Sequence, residues 1–215
     1  IANALRWRAE HDAGTYVPTP ELLRKVPGHL FGKGHEGRPI LWLFPRLVTW
    51  SSLTQDDIQL VEMFKQENIS TALEASDGAV QDVIVVTDMS DCGVDLLAYS
   101  SQLQALANLS ERMYPGRTAK TIIINAPATI QLLFNSFSSF LSQKTVELVE
   151  MHGIGSEVYL EGLLKYMPMS SIPRFLGGSA GGDEDPLVEE FLFPAGLNEK
   201  CQALKDSFHS SESES

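Results

Sequence analysis

The chain has 215 residues, of which 43% are hydrophobic, and a formal net charge of −12 at pH 7. This length and composition allow one domain with a real core and some additions. The acidic balance argues against nucleic-acid binding, which depends on a basic surface, and disfavours broad electrostatic attraction to anionic membranes.

The first part of the chain carries little regular pattern. Residues 1–13 are typical of the end of a helix, and Thr15 to Gly37, rich in Pro and Gly, is predicted as loop or short turns. The chain starts at Ile1 and shows no charged, apolar leader, so we expect a fragment or processed product without a signal peptide. No apolar run approaches the roughly 20 residues that span a bilayer, so we expect a soluble protein.

Strands and helices alternate from Gly37 onward. Ile40 to Phe44 is predicted as a strand, and Thr54 with Asp57 forms a capping box that starts a helix. Asp82 to Asp88 is a continuous β-branched run, typical of a strand buried on both faces. The further predicted elements are a helix from about 95 to 113, a strand at 121–125, a helix near 128–141, a strand near 146–151 and a helix near 157–167. This alternation predicts an α/β fold with a mainly parallel sheet.

Groups that catalysis needs are sparse. Asp88, Asp91 and Asp95 follow a buried strand, where parallel sheets often place sites. They could hold a hard cation, but their spacing matches neither an EF-hand nor a phosphoryl-transfer site, and we favour a role in satisfying N–H groups at the start of the next helix. Cys92 and Cys201 lack metal or redox spacing. We therefore predict no enzyme activity, no metal and no cofactor.

The helix near 128–141 has a broad apolar stripe at helical spacing. The stripe consists of Ile130, Leu133, Phe134, Phe137, Phe140 and Leu141. Asn135, Ser136 and Ser138 leave the other side polar. Periodicity alone favours ordinary core packing for this stripe.

Three segments together resemble a known family. They are Tyr114-Pro115, Asn125-Ala126-Pro127, and the run from Ile172 to Gly178 that reads Ile-Pro-x-x-Leu-Gly-Gly. In this order and spacing they are similar to the CRAL-TRIO lipid-binding family, which includes retinaldehyde- and tocopherol-binding proteins and phosphatidylinositol/phosphatidylcholine transfer proteins. Leu5 to Glu10 resembles the end of the helical region that precedes the lipid domain. The resemblance implies the CRAL-TRIO lipid-binding fold, a mainly parallel β-sheet flanked by helices with an apolar pocket closed by a lid helix.

By this resemblance the helix near 128–141 is the lid. Its apolar stripe would face the acyl chains when the lid is shut and the bilayer interface when it opens. Val83 and Val85 would line the pocket, at positions where phosphocholine-binding members carry small polar residues. Arg117 and Lys144 lie near the expected pocket mouth, where they are either phosphate contacts or solvated surface charges.

The residues that recognise known headgroups are not matched. Phosphatidylinositol-binding members carry a glutamate and a lysine where this chain has Gly116 and Leu148. A buried phosphate without partners is costly. The ligand is therefore either a phospholipid bound by other residues or a less polar lipid, such as a sterol-like, tocopherol-like or retinoid-like molecule.

We predict three regions: residues 1–36 as the end of a truncated helical region and a loop, 37–180 as the lipid-binding domain, and 181–215 as an acidic extension with a disordered Ser/Glu tail. The predicted function is a soluble, cytoplasmic lipid-binding or lipid-transfer protein that holds one hydrophobic ligand and exchanges it during transient contact with membranes. The alternative is a protein-interaction or regulatory module with a vestigial pocket, similar to relatives that bind small GTPases.

Overall fold

The computed structural model of the chain describes residues 2–138 and 141–180, and for four positions in this range, 29, 133, 136 and 137, it describes the backbone alone. The helices are α1 (Ala2–Glu10), α2 (Pro20–Lys25), α3 (Gln55–Glu74), α4 (Ser100–Met113), α5 (Ala128–Phe137), α6 (Gln143–Glu147) and α7 (Ser156–Leu164). The strands are β1 (Gly28–Lys33), β2 (Pro39–Leu43), β3 (Val83–Asp88), β4 (Thr118–Ile124) and β5 (Val149–Met151). The predicted acidic extension from residue 181 onward lies outside the described residues.

The five strands form one sheet in the order β1-β2-β3-β4-β5. β1 is antiparallel to β2, and the other neighbouring strands are parallel. Connections between parallel strands are almost always right-handed, so a parallel sheet in chain order carries all its crossover helices on one face. That face, on which α3 and α5 pack, is called the front face here, and the opposite one the back face.

The back face of the sheet carries the main core. Alternating residues of three central strands point to this side and pack against Tyr159, Leu163 and Met167 of α7 and the turn that follows it. The strand residues are Ile40, Trp42, Ile84, Val86, Ile122 and Ile124, and none is more than 4% exposed. These six strand residues form a closely packed core, and the same face also carries the half-buried ion pair of Lys120 Nζ with Glu150 Oε2 at 3.3 Å.

The last described segment closes over the back-face core. Ala180 pairs with Pro173, and Gly178 N donates to Pro173 O at 3.0 Å. A Cβ on Gly178 would overlap the backbone carbonyl of Ile172, so the close approach requires glycine. This accounts physically for the second glycine of the Ile-Pro-x-x-Leu-Gly-Gly run.

Several predicted elements are confirmed. Thr54 and Asp57 form the predicted capping box, in which Thr54 Oγ1 accepts from Asp57 N at 3.1 Å and Asp57 Oδ2 accepts from Thr54 N at 2.9 Å. The predicted strands at 40–44, 82–88 and 121–125 correspond to β2, β3 and β4.

Other predicted elements differ from the structure. Thr15 to Gly37 was predicted as loop, but it contains α2, which Thr19 caps, and β1, an edge strand that pairs with β2. The predicted 95–113 helix begins as a 3-10 helix at Val94–Tyr99. The helix predicted over 128–141 ends at Phe137, and the strand predicted from 146 begins at Val149 because α6 precedes it.

Candidate functional site

The front face of the sheet is less completely covered than the back face. Its half-buried residues are Leu43, Val85, Thr87, Thr121, Val149 and Met151. The strand register places them in two adjacent rows, because Thr87 lies beside Leu43, and Thr121 lies between Val85 and Val149. β3 and β4 are central strands, and the back-facing Ile84, Val86, Ile122 and Ile124 beside these residues are buried, whereas Lys120 and Glu150 on the back face are half-buried. The front face therefore keeps accessible surface beside the residues that α3 and α5 cover.

The predicted lid corresponds to α5, which begins directly after Pro127. Ile130 is buried in an apolar cluster with Leu96 and Ile123, and Phe134 is half-buried against the same cluster. Leu132, on the outer side of the helix, is 67% exposed. Ile130 and Phe134 thus form the inner side of α5, as their spacing predicted.

The remaining predicted lid residues are described only in part. Leu141 is half-buried just before α6. The side chains of Leu133 and Phe137, and the whole of Phe140, lie outside the described residues. Their predicted contacts with a ligand stay predictions.

Val83 and Val85 both belong to the front face but differ in burial. Val83 is 1% exposed in a tight cluster with Leu41, Ile69 and Leu73, whereas Val85 is half-buried at the margin of this cluster. Side chains of α3 therefore fill the space in front of Val83. Apolar packing occupies the place where the resemblance implies contacts with phosphocholine.

The two predicted phosphate contacts, Arg117 and Lys144, lie near the amino ends of β4 and β5, whereas α5 begins after the carboxyl end of β4. Arg117 is half-buried directly before β4, and Lys144 is exposed on α6, directly before β5. Gly116 precedes Arg117 in a turn and has φ of 75°, a conformation that a glutamate rarely adopts. Leu148, the C-cap of α6, accepts the main-chain bond of Thr121 N at 3.0 Å.

Asp88 serves a turn at the carboxyl end of β3. Its Oδ1 accepts hydrogen bonds from Ser90 N at 3.0 Å, Ser90 Oγ at 2.7 Å and Asn125 Nδ2 at 2.8 Å. Asn125 Oδ1 in turn accepts from Gly155 N at 3.1 Å, which ties the ends of β3 and β4 to the start of α7. Asp88 thus accepts from a free N–H group, as predicted, but it does so in this turn. The 3-10 helix that follows, where the sequence predicted this role, has Gly93 as N-cap and no side-chain cap.

Asp91 and Asp95 are exposed, and among the described residues no three His, Cys, Asp or Glu side chains are grouped so that they could hold a metal ion. Cys92 is a buried free cysteine. Burial raises the pKa of its thiol to about 11, assisted by Asp88, so the thiol is protonated at neutral pH.

A buried polar row on α3 was not identified from the sequence. Its members are Glu62, Lys65, Gln66 and Ser70. Glu62 Oε1 accepts from Gln66 Nε2 at 2.9 Å and from Ser110 Oγ of α4 at 3.0 Å. Burial lowers the pKa of Lys65 to about 8, which the nearby Glu62 partly opposes. The available signal was the position of Lys65 between Phe64 and Ile69 on an otherwise apolar side of the helix.

An open groove of about 310 Å³ lies on the surface where α1, α3 and α4 meet. Amide and guanidinium groups dominate its lining, with Gln59, Gln104, Asn108 and Arg112 beside Trp7. α1 is held there by Arg8, whose guanidinium donates to both carboxylate oxygens of Glu67 at 2.8 Å.

No helix within the described ranges is both long enough and apolar enough to cross a membrane.

The fold and the three sequence segments agree with a family comparison. The sequence profile described as "CRAL/TRIO domain" matches residues 23–178. The chain belongs to the CRAL/TRIO domain family. The predicted fold class, a mainly parallel sheet flanked by helices, is therefore confirmed.

Relatives of this CRAL/TRIO chain include a cytosolic factor and a lipid transfer protein. The SEC14 cytosolic factor of Eremothecium gossypii is 24% identical over 198 residues, which cover 85% of this chain and 63% of that protein. The phosphatidylinositol/phosphatidylcholine transfer protein SFH12 of Arabidopsis thaliana is 28% identical over 193 residues, covering 81% of this chain and 35% of that protein. The chain thus spans between about a third and two thirds of the length of these two curated relatives.

A solved structure shares the fold. The crystal structure of Sfh5 superimposes with a TM-score of 0.63 at 15% sequence identity, covering 97% of this chain and 73% of that one. At this identity the likeness concerns the CRAL/TRIO fold alone.

Proposed function

We propose that this CRAL/TRIO chain binds one lipid over the front face of the sheet and exchanges it at membrane surfaces. The observation that carries the proposal is the half-buried state of Val85, Thr87 and Thr121 on two central strands that helices cross. Strands of parallel sheets are normally covered on both faces, as the back face is here. We attribute the difference to space between the front face and its helices, and the name of the Arabidopsis thaliana relative, a phosphatidylinositol/phosphatidylcholine transfer protein, supports lipid as the occupant.

The chemistry of the front face suits acyl chains. Leu43, Val85, Val149 and Met151 offer alkyl and thioether surface, and the threonines add only small polar groups. Burial is worth about 0.8 kcal/mol per CH₂, so a lipid with ~30 chain carbons gains at most about 20–25 kcal/mol inside the protein. Release into water would be negligibly slow, and exchange therefore requires contact with a bilayer.

An exposed apolar patch beside the lid fits such contact. Leu132 of α5 is exposed, and so are Val94 and Leu97 of the 3-10 helix that precedes α4 and packs against α5. α5 would move outward and insert this patch at the interface. We place the protein in the cytosol with peripheral, transient membrane association, in line with the name of the Eremothecium gossypii relative.

Native mass spectrometry of the purified chain, followed by a vesicle transfer assay, tests the proposal. The expected result is a protein mass increased by one lipid and accelerated transfer of a pyrene-labelled phospholipid between phosphatidylcholine vesicles. Protein that carries no lipid after purification, and moves no labelled lipid between vesicles, would overturn it.

A protein-interaction module is the second candidate. Two observations favour it: side chains of α3 fill the space in front of Val83, and the open groove between α1, α3 and α4 has the amide-rich lining of a polar contact surface. The same measurements decide between the two, because an interaction module would be lipid-free and inactive in transfer.

A further inference from the structure

Lys65 carries a buried charge that its described neighbours do not pair. The residue is 8% exposed, and among the described residues it forms neither an ion pair nor a hydrogen bond. Glu62 is close enough to interact electrostatically, but its Oε1 is engaged by Gln66 and Ser110. A buried ammonium group that lacks a hydrogen bond or a close ion pair is costly, even with a carboxylate nearby, unless something else compensates its charge.

The amine of Lys65 lies at the margin of the front face. A Cβ added to Gly28 would stand 3.2 Å from Lys65 Nζ and 3.0 Å from Leu43 Cδ2, so the missing side chain of Gly28 makes room for the amine beside Leu43. Leu43 is one of the half-buried front-face residues, and it pairs with Thr87 in the sheet. The lysine therefore reaches the surface on which the lipid is proposed to lie.

We infer that Lys65 anchors the anionic oxygen group, a phosphate diester or a carboxylate, of the lipid bound over the front face. This inference rests on the proposed function and adds the class of ligand. It also supplies a polar contact in a chain whose Gly116, Leu148, Val83 and Val85 offer none. The ligand anion pairs the ammonium group.

The ionisation of Lys65 gives a readout in an accessible pH range. Burial lowers the pKa of its amine to about 8 in the empty protein. A bound anion favours the charged amine and raises that pKa. Affinity for an anionic lipid is therefore full below pH 8 and falls as the pH rises above it, whereas affinity for an uncharged lipid does not.

Three probes test the ligand class, each presented in vesicles of unlabelled phosphatidylcholine: pyrene-labelled phosphatidylcholine, a diacylglycerol with the same chains, and a pyrene-labelled fatty acid. We expect wild-type protein to take up the phospholipid or the fatty acid at least about tenfold better than the diacylglycerol. A factor of this size is the effect on affinity that we expect from pairing one buried charge. Phosphatidylcholine is zwitterionic and offers a phosphate diester, whereas the fatty acid offers a carboxylate, so the preferred one of these two probes tells phosphate from carboxylate.

The variant Lys65→Met should lose that preference and still take up diacylglycerol. Lys165→Met, the same change in charge at an exposed position, should behave as wild type. A preference that survives in Lys65→Met, or a wild type that favours diacylglycerol, would contradict the inference. Wild type that takes up none of the probes would overturn the proposed function itself, and the inference with it.

A measurement on wild type alone covers the case in which Lys65→Met does not fold. Uptake of the preferred anionic probe should fall about tenfold or more between about pH 7 and about pH 9.5, while uptake of diacylglycerol stays level. Equal pH profiles for the two probes would overturn the role of Lys65.

Discussion

Asp88 concentrates three accepted hydrogen bonds on one carboxylate oxygen while being 1% exposed. The donors come from Ser90 and from Asn125, whose φ of 53° is itself unusual. The carboxylate thus holds together two strand ends and, through Asn125, the start of α7. A side chain that was a candidate for cation binding is a structural centre of the fold.

Substitution of Asp88 should therefore affect stability. Asp88→Ala leaves buried donors of Ser90 and Asn125 without an acceptor, and we expect the free energy of unfolding to fall by about 2–4 kcal/mol. Urea unfolding followed by circular dichroism measures this. Asp95→Ala, at an exposed position of the following 3-10 helix, should change the free energy by less than about 0.5 kcal/mol. Equal losses in the two variants would argue against the role of Asp88.

Residues whose role is local were predictable from the sequence, and those whose role depends on distant packing were not. Thr54 and Asp57 satisfy each other within one helical turn, so their spacing alone indicated the capping box. Lys65 is buried where α3 meets the sheet, and Gly28 and Leu43, which lie there, are more than twenty residues away in sequence. The burial of Val83 likewise depends on a cluster contributed by other elements, and its predicted contact with a ligand stays a prediction.

At the scale of elements, α6 is attached to α4 by one carboxylate. Glu111 Oε1 accepts from Ser142 N at 3.0 Å, at the start of α6, and from Thr145 Oγ1 one turn later. Burial acts to raise the pKa of the Glu111 carboxyl, but the hydrogen bonds from Thr145 and Ser142 outweigh it and hold the pKa below its usual value. The carboxylate form is therefore the one that stabilises the attachment.

We expect Glu111→Ala to release α6. Amide hydrogen exchange over residues 142–147 should become at least about tenfold faster, since a five-residue helix has little stability of its own. In wild type the protection should be present above the ordinary glutamate pKa of about 4.3 and be lost as the pH falls through the lower pKa of the folded protein. Glu147→Ala, on α6 itself and exposed, serves as the control. Unchanged exchange in Glu111→Ala would show that other contacts hold α6.

The outer side of α5 provides a test of the lid. Leu132→Ser removes an exposed side chain, so the free energy of unfolding should change by less than about 0.5 kcal/mol. Lipid transfer should nevertheless slow by about threefold to tenfold, because a leucine inserted at the interface contributes roughly 1.5 kcal/mol or less when only partly buried. Leu5→Ser, an equally exposed leucine on α1, should transfer lipid at the wild-type rate. Lipid transfer by Leu132→Ser at the wild-type rate would show that this side of α5 does not contact the membrane.

Element prediction succeeded where the sequence pattern was long and failed where the elements are short. β3 was evident from its uninterrupted β-branched run. β1 has glycines within its six residues and exists because β2 pairs with it, so no local pattern indicated a strand. α6 has only five residues, although Ser142, whose Oγ accepts from Thr145 N, was a readable N-cap.

Over the whole molecule the charge is strongly negative, at −12. Asp91 and Asp95 are exposed, as are Val94 and Leu97 of the same segment, which packs against α5. Under the proposed function, these carboxylates would be repelled by anionic lipid and would tolerate a zwitterionic one.

Transfer should therefore depend on vesicle charge. We expect faster transfer from phosphatidylcholine vesicles than from vesicles that also contain phosphatidylserine, by about twofold or more at low salt. The difference should shrink as the Debye length falls to about 8 Å near physiological ionic strength. Acceleration by phosphatidylserine would indicate a basic docking surface that the described residues do not show.

Because side chains alternate along β3 and β4, the two faces of the sheet have different roles. Ile84, Val86, Ile122 and Ile124 keep the domain folded, while their immediate neighbours in sequence face the other way. A substitution at Val85 or Thr121 can alter what the protein accommodates and leave the packing against α7 intact. Under the proposed function, the ligand preference of this fold could therefore change one front-facing residue at a time while the core against α7 stays the same.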